Sequence, residues 1–174
     1  MNTEPDPIVG KWNFPKNNIF NFTPDGDVLL CGSRVAVWQR VTDRKYFVLY
    51  LRGHFDGASD PLEIQAEGKW MKGLANGKHT RDLERIEGDH DPTSILGVWD
   101  YKNNNMVTFT EDGWADVCGM HLGVWRREGE NSFLTVHLRG YYGGASDPLV
   151  LSEDGSTLDG LIYGNWETST LNRA

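Results

Sequence analysis

Cysteine, histidine and positive charge are all scarce in this chain of 174 residues, and no apolar run approaches the length that a membrane span needs. Its two cysteines, Cys31 and Cys118, are too few for a disulfide scaffold and form no zinc site by themselves. Small, buried, reduced side chains are the expectation for both. Only 17 Lys and Arg stand against 25 Asp and Glu, a net charge of −8. That balance argues against nucleic acid or a membrane surface as a partner, since both demand a cationic footprint. The Gly-rich phosphate loop, the dinucleotide fingerprint and the Gly-x-Ser-x-Gly turn of serine hydrolases are missing, so no cofactor is expected. His54 and Asp56 offer two metal ligands where three are needed, and no metal is expected either. The stretch Met1–Pro7 is acidic and polar, without a basic start or an apolar segment. A cytoplasmic location is the expectation, with a mature secreted chain as the alternative.

What is abundant is aromatic side chains and glycine: seven Trp, six Tyr, seven Phe and 20 Gly. Frequent punctuation between aromatic-rich stretches implies a turn-rich globular β protein. Laid over itself, the chain repeats. Residues 8–77 match residues 95–164 at a constant offset of 87 without a gap, with 27 identities in 70 positions, about 39%. Ile8-Val9-Gly10-Lys11-Trp12 answers Ile95-Leu96-Gly97-Val98-Trp99, and Cys31-Gly32 answers Cys118-Gly119. The longest shared block runs from Gly57-Ala58-Ser59-Asp60-Pro61-Leu62 to Gly144-Ala145-Ser146-Asp147-Pro148-Leu149. After Gly164 the offset becomes 88, so that Leu83 and Arg85 answer Leu171 and Arg173. The organisation expected is a tail over 1–7, a first repeat over 8–86, a polar linker over 87–94 and a second repeat over 95–174.

Within each copy, short apolar stretches alternate with turn signals at the spacing of an antiparallel meander. Strands are expected near 9–14, 18–23, 27–31, 34–41, 45–52, 61–66, 70–74 and 78–85, with a turn of helix allowed over Leu83–Glu87. Asp25-Gly26 and Asp112-Gly113 mark tight hairpins. In Tyr46–Arg52 the period is two: Phe47, Leu49 and Leu51 share one side, and Tyr46, Val48, Tyr50 and Arg52 the other. The matching strand of the second copy puts Leu134, Val136 and Leu138 on its apolar face, and His137 and Arg139 on the opposite one.

A Gly-x-Trp on the first strand, eight meander strands and an Arg closing the last strand resemble the lipocalin and avidin-like small barrels. The resemblance implies that Trp12 packs under Arg85, and Trp99 under Arg173. The units also resemble a bacterial repeat of uncharacterised function that combines Gly-x-Trp with an Asp-Gly hairpin. The pattern departs from these where Ala36 replaces the glycine of the second Gly-x-Trp, which survives as Gly123-Val124-Trp125. Each unit is also about half the length of a lipocalin, so a ligand cavity does not follow from the likeness. The fold class expected is all-β: two pseudo-twofold related antiparallel meander repeats, each a small lipocalin/avidin-like barrel. One larger barrel or sandwich shared by both copies is the alternative.

Residues kept in both copies serve first what both share, the fold: Trp12, Trp99, Trp38, Trp125 and the Asp-Pro blocks read as core and corner residues. A sharper reading pairs Arg52 with Asp60 and Arg139 with Asp147 as ligand grips. Residues that differ mark where one site has specialised. Tyr50, Arg52 and His54 against His137, Arg139 and Tyr141 form two polar-aromatic rows, with Tyr142, Trp114 and Trp166 as further aromatic candidates in the second copy. Such a set suits the binding of a carbohydrate or small organic ligand, on the strand face or at the repeat junction. A small barrel enzyme of the cyclase, isomerase or lyase type is the alternative, with His137 or His54 as acid or base and arginines stabilising negative charge. An acidic protein-interaction or inhibitor module is a third reading.

Overall fold

A computed structural model describes all residues except 1–3, 15–16, 55–56, 58, 76–78, 87–89, 102–103, 139–143 and 162–167. The chain divides into two compact units, Met1–Glu87 and Gly88–Ala174. The first contains β1 (Gly10–Phe14), β2 (Asn18–Phe22), β3 (Asp27–Leu30), β4 (Ser33–Arg40), β5 (Lys45–Tyr50), β6 (Ser59–Ile64), β7 (Trp70–Ala75) and β8 (His79–Arg85). The second contains β9 (Gly97–Asp100), β10 (Met106–Phe109), β11 (Trp114–Val117), β12 (Met120–Arg127), β13 (Ser132–His137), β14 (Ser146–Leu151), β15 (Thr157–Leu161) and β16 (Thr168–Arg173).

Each set of eight is an antiparallel meander closed on itself: β8 returns to β1 with Arg85 opposite Trp12, and β16 returns to β9 with Arg173 opposite Trp99. Two separate closed barrels therefore replace the alternative of one shared barrel. The helical turn allowed over Leu83–Glu87 is not formed where that segment is described, because Leu83–Arg85 is the end of β8 and closes the first barrel.

Alternation decides which side chains fill each barrel. In β6 and in β14 every second residue is buried, bringing Asp60, Leu62 and Ile64, and Asp147, Leu149 and Leu151, inside. Pro61 and Pro148 occupy outward positions between them, where a missing N–H is tolerated best. Their carbonyls lie so close to Gly73 and Gly160 that a Cβ on either glycine would collide with backbone.

In β5 the inward row is Tyr46, Val48 and Tyr50, while Phe47 and Leu49 remain 41% and 45% exposed. In β13 the inward row is Phe133, Thr135 and His137. The side that reads as apolar in the sequence is thus the outer one. Both rows of each strand carry apolar residues, so period two gives the parity of the strand but not its sign.

The hairpins follow their residues. Gly26 and Gly113 adopt φ of 89° and 90°, as the Asp-Gly turns require. Cys31-Gly32 and Cys118-Gly119 lie wholly in the left-handed region, with φ of 51° and 77°, and 53° and 77°. These are two-residue hairpin turns with cysteine where asparagine is usual. Both cysteines are half-buried in these turns rather than buried in a core, and neither is a free thiol, which corrects the expectation of reduced side chains.

Candidate functional site

The two ends of each barrel differ. At one end the chain entering the first strand forms a floor: Trp12 Nε1 donates to the Ile8 carbonyl at 2.9 Å, and Trp99 Nε1 donates to that of Ile95 at 2.8 Å. Arg85 lies over Trp12 and Arg173 over Trp99, each 4.2 Å from the ring centroid. The stacking expected from the Gly-x-Trp likeness is present in both copies.

Residues Asp6–Ile8 and Thr93–Ile95 belong to these floors. Asp6 accepts from the Tyr46 hydroxyl at 2.6 Å and from Arg40 at 3.3 Å. In the second barrel, Phe133 replaces Tyr46 and lies 4.7 Å beneath Arg127, which donates to the Thr93 carbonyl. Burial, and after it the hydrogen bond and charge of Asp6, hold the Tyr46 phenol far above its ordinary pKa, against the smaller opposing pull of Arg40.

At the opposite end β5 finishes and β6 starts, as do β13 and β14. Here the second barrel brings three polar side chains together. His137 Nε2 lies 2.7 Å from Asp147 Oδ2, with the two residues 7% and 2% exposed. Thr135 faces Asp147 across the β13–β14 ladder, and its buried Oγ1 has no hydrogen-bond partner among the described residues. All three line a cavity whose other walls are Val107, Phe109, Ala115, Val117, Leu122, Leu149 and Leu171. The space open to the centre of a water is about 20 Å³, enough for one or two waters.

In the first barrel, Tyr50 and Asp60 take the places of His137 and Asp147, and Val48 that of Thr135. Asp60 is buried and Tyr50 half-buried, beside a void of about 10 Å³ lined by Phe14, Phe20, Phe22, Val48, Leu62 and Leu83. The two barrels thus share a buried carboxylate but differ in what faces it.

The structure therefore brings His137 and Asp147 together, and places Tyr50 and Asp60 equivalently. The expected pairing of Arg52 with Asp60 is not formed: Arg52 is exposed in the turn after β5, without an ion pair among the described residues, while Asp60 is inside the barrel. His54 is half-buried in the same connection, and its amide donates to the Leu51 carbonyl. Trp114 is on the outside of its barrel, away from the cavity. It stacks on His121 with centroids 4.3 Å apart, and His121 Nδ1 lies 2.6 Å from Asp116 Oδ1. The first copy carries an Arg34–Asp27 ion pair at 2.7 Å in that place. Arg139, Tyr141, Tyr142 and Trp166 lie outside the described residues.

Thr135 is the member of the constellation that reading the sequence missed. Its signal is the replacement of Val48 by a polar residue on the inward row. No three His, Cys, Asp or Glu side chains gather to hold a metal among the described residues. No family model and no curated protein matches the chain.

Proposed function

We propose that this protein binds a small organic ligand at the end of the barrel where His137 and Asp147 meet. The observation that carries this reading is a cavity with otherwise apolar walls whose lining includes Thr135 and the hydrogen-bonded pair His137–Asp147. Binding sites of this kind combine an apolar lining with a few placed polar groups that fix orientation. The apolar walls favour a small organic molecule over a carbohydrate, whose many hydroxyls need polar partners on several sides. Mapping backbone amide shifts of the full chain against a library of small molecules tests the proposal. The expected result is a set of compounds whose shifts cluster at Val107, Thr135, His137 and Asp147 and vanish in Thr135→Val. A library without hits there overturns it.

One observation favours the enzyme reading as the second choice. A carboxylate held 2.7 Å from an imidazole inside an apolar wall is an arrangement that orients a general acid or base. Under that reading the same hits are converted, and His137→Ala removes turnover while Thr135→Val chiefly weakens binding. Hits that remain unchanged on prolonged incubation leave a binding protein.

A further inference from the structure

We infer that Cys31 and Cys118 are sites of oxidative modification: both are kept in the repeats for their sulfur, which an oxidant of the disulfide class converts from thiol to disulfide as the chain matures. The inference stands apart from the ligand reading above and uses none of its residues.

The backbone at these positions does not itself ask for cysteine. Each is the first residue of a two-residue turn, between Leu30 and Ser33 in one copy and between Val117 and Met120 in the other. With φ of 51° and 53° both lie in the left-handed region, which most side chains avoid and which asparagine and glycine tolerate best. The chain follows that rule elsewhere. Among the described residues, the other non-glycine residues with positive φ are Asn17 and Asn104, again one in each copy, at 59° and 61°. Asparagine is thus what this chain places where the backbone alone decides.

Packing does not account for the cysteines either, because Cys118 touches the second core while Cys31 is not among the residues packed on the first. Both are half-buried in turns at the surface, where an oxidant can reach them. What the two positions share is a chemical state: the chain has two cysteines, and neither is a free thiol. A residue that suits its turn poorly, is present in both copies and is oxidised in both is retained for the bond its sulfur makes.

The co-reactant is a disulfide, either of a small thiol or of a thiol oxidase. For each disulfide that forms in the protein, two cysteine thiols pass two protons and two electrons to the oxidant; one S–S bond forms, and that of the oxidant breaks to leave two thiols. Disulfides persist in oxidising compartments and are rare where thiols are kept reduced. The inference therefore favours a mature secreted chain over a cytoplasmic one.

The test reduces the intact chain, returns it to equimolar oxidised and reduced glutathione, and then unfolds it in urea for alkylation and mass measurement. Neither an alkyl group nor a glutathione adduct is expected, against two alkyl groups on the chain kept reduced. Either modification on the reoxidised chain overturns the inference. Urea midpoints then separate a kept bond from a kept turn residue. The oxidised chain is expected to be highest, Cys31→Asn combined with Cys118→Asn lower, and the reduced chain lowest, because asparagine suits the left-handed backbone better than a thiol does. A double variant at or above the oxidised chain would show that cysteine only fills the turn, and one below the reduced chain that it is held for packing; each of these results overturns the inference.

Discussion

The guanidinium of Arg85 covers Trp12 at 4.2 Å from its ring centroid, and Gly10, two residues before that tryptophan, makes room for it. A Cβ on Gly10 would stand 3.1 Å from Arg85 Nη1, and the φ of 132° there already disfavours any side chain. Gly97, Trp99 and Arg173 repeat the arrangement, with a φ of 113° at Gly97, although a Cβ there would meet Arg173 Nη1 at an ordinary contact distance of 3.6 Å. Gly-x-Trp with a distant arginine is therefore one device: the glycine admits the guanidinium, the indole supports it, and the arginine ties strand ends to the floor by donating to backbone carbonyls. Arg85 donates to those of Val9 and Gly68, and Arg173 to those of Ser94, Leu96 and Gly155.

Removing the indole leaves a large void and an arginine without support. Trp12→Ala and Trp99→Ala are each expected to cost about 3–5 kcal/mol. Arg173→Lys, which keeps the charge but loses the planar fork, is expected to cost about 1 kcal/mol because three carbonyls, half-buried or exposed, lose their shared donor. Urea denaturation of each variant checks both, and a loss below 1 kcal/mol for the tryptophan variants, at about the noise of the method, would contradict the floor's role.

Gly73 and Gly160 make a second steric prediction. Alanine at either position meets the carbonyl of Pro61 or Pro148, which belongs to the backbone and cannot swing aside. Gly73→Ala and Gly160→Ala should destabilise by about 1–3 kcal/mol, as overpacking generally does. Glycine at an ordinary strand position gives the opposite sign, because alanine there stabilises.

The Tyr46 hydroxyl carries a pH dependence with a definite sign. Its pKa in the fold lies above the ordinary value, so below pH 10 both folded and unfolded chains keep the proton and the Tyr46–Asp6 bond contributes fully. Above that pH the unfolded chain loses its proton first, and stability falls as pH rises. The second copy already carries phenylalanine there, and Tyr46→Phe should cost about 1–3 kcal/mol at neutral pH and flatten the alkaline decline. An unchanged alkaline slope in Tyr46→Phe assigns that slope to another group.

The carboxyl of Asp154 should titrate at the acid extreme. The hydroxyls of Ser152 and Ser156, and after them the Ser156 amide, hold its pKa down to about 2. Its contribution is complete above the unfolded value of 3.8 and is lost as pH falls through about 2. Side-chain carbon shifts followed by NMR read this directly, and a midpoint near 3.8 would show that the serine donors do not hold in solution.

The sequence carries the architecture well because duplication repeats every signal. Eight strands per copy follow from alternation and turn residues, and the Asp-Gly hairpins follow from the need for positive φ. The site was legible only in part. His137 and Asp147 are legible as site residues, but the sequence points to Arg139 as the partner of Asp147 and to Arg52 as that of Asp60. Inward and outward rows of β5 are both apolar, so nothing local showed that Tyr46, Val48 and Tyr50 would face inside. Trp114 is conspicuous by its type, but its position on β11 fixes it on the outer face, where it stacks on His121, itself bonded to Asp116. Thr135 is inconspicuous by type, and only closure of the barrel reveals that its hydroxyl is enclosed.

The His137–Asp147 pair makes the prediction that bears most on the site. Both groups are buried, so removing either leaves the other without its counterpart in a place that solvates charge poorly. His137→Ala and Asp147→Ala should each destabilise by about 3–5 kcal/mol, while the double variant loses much less than their sum because the orphaned group is gone. Additive losses would mean that the two side chains act separately, and the pair could then neither orient a ligand nor tune an acid or base. In the first barrel the same comparison uses Tyr50→Phe and Asp60→Asn. A weaker coupling there is expected, because Tyr50 offers only a hydroxyl where the second barrel has an imidazole. The contrast between the two cycles measures, without any ligand, how far the second interior has been electrostatically rebuilt around its cavity.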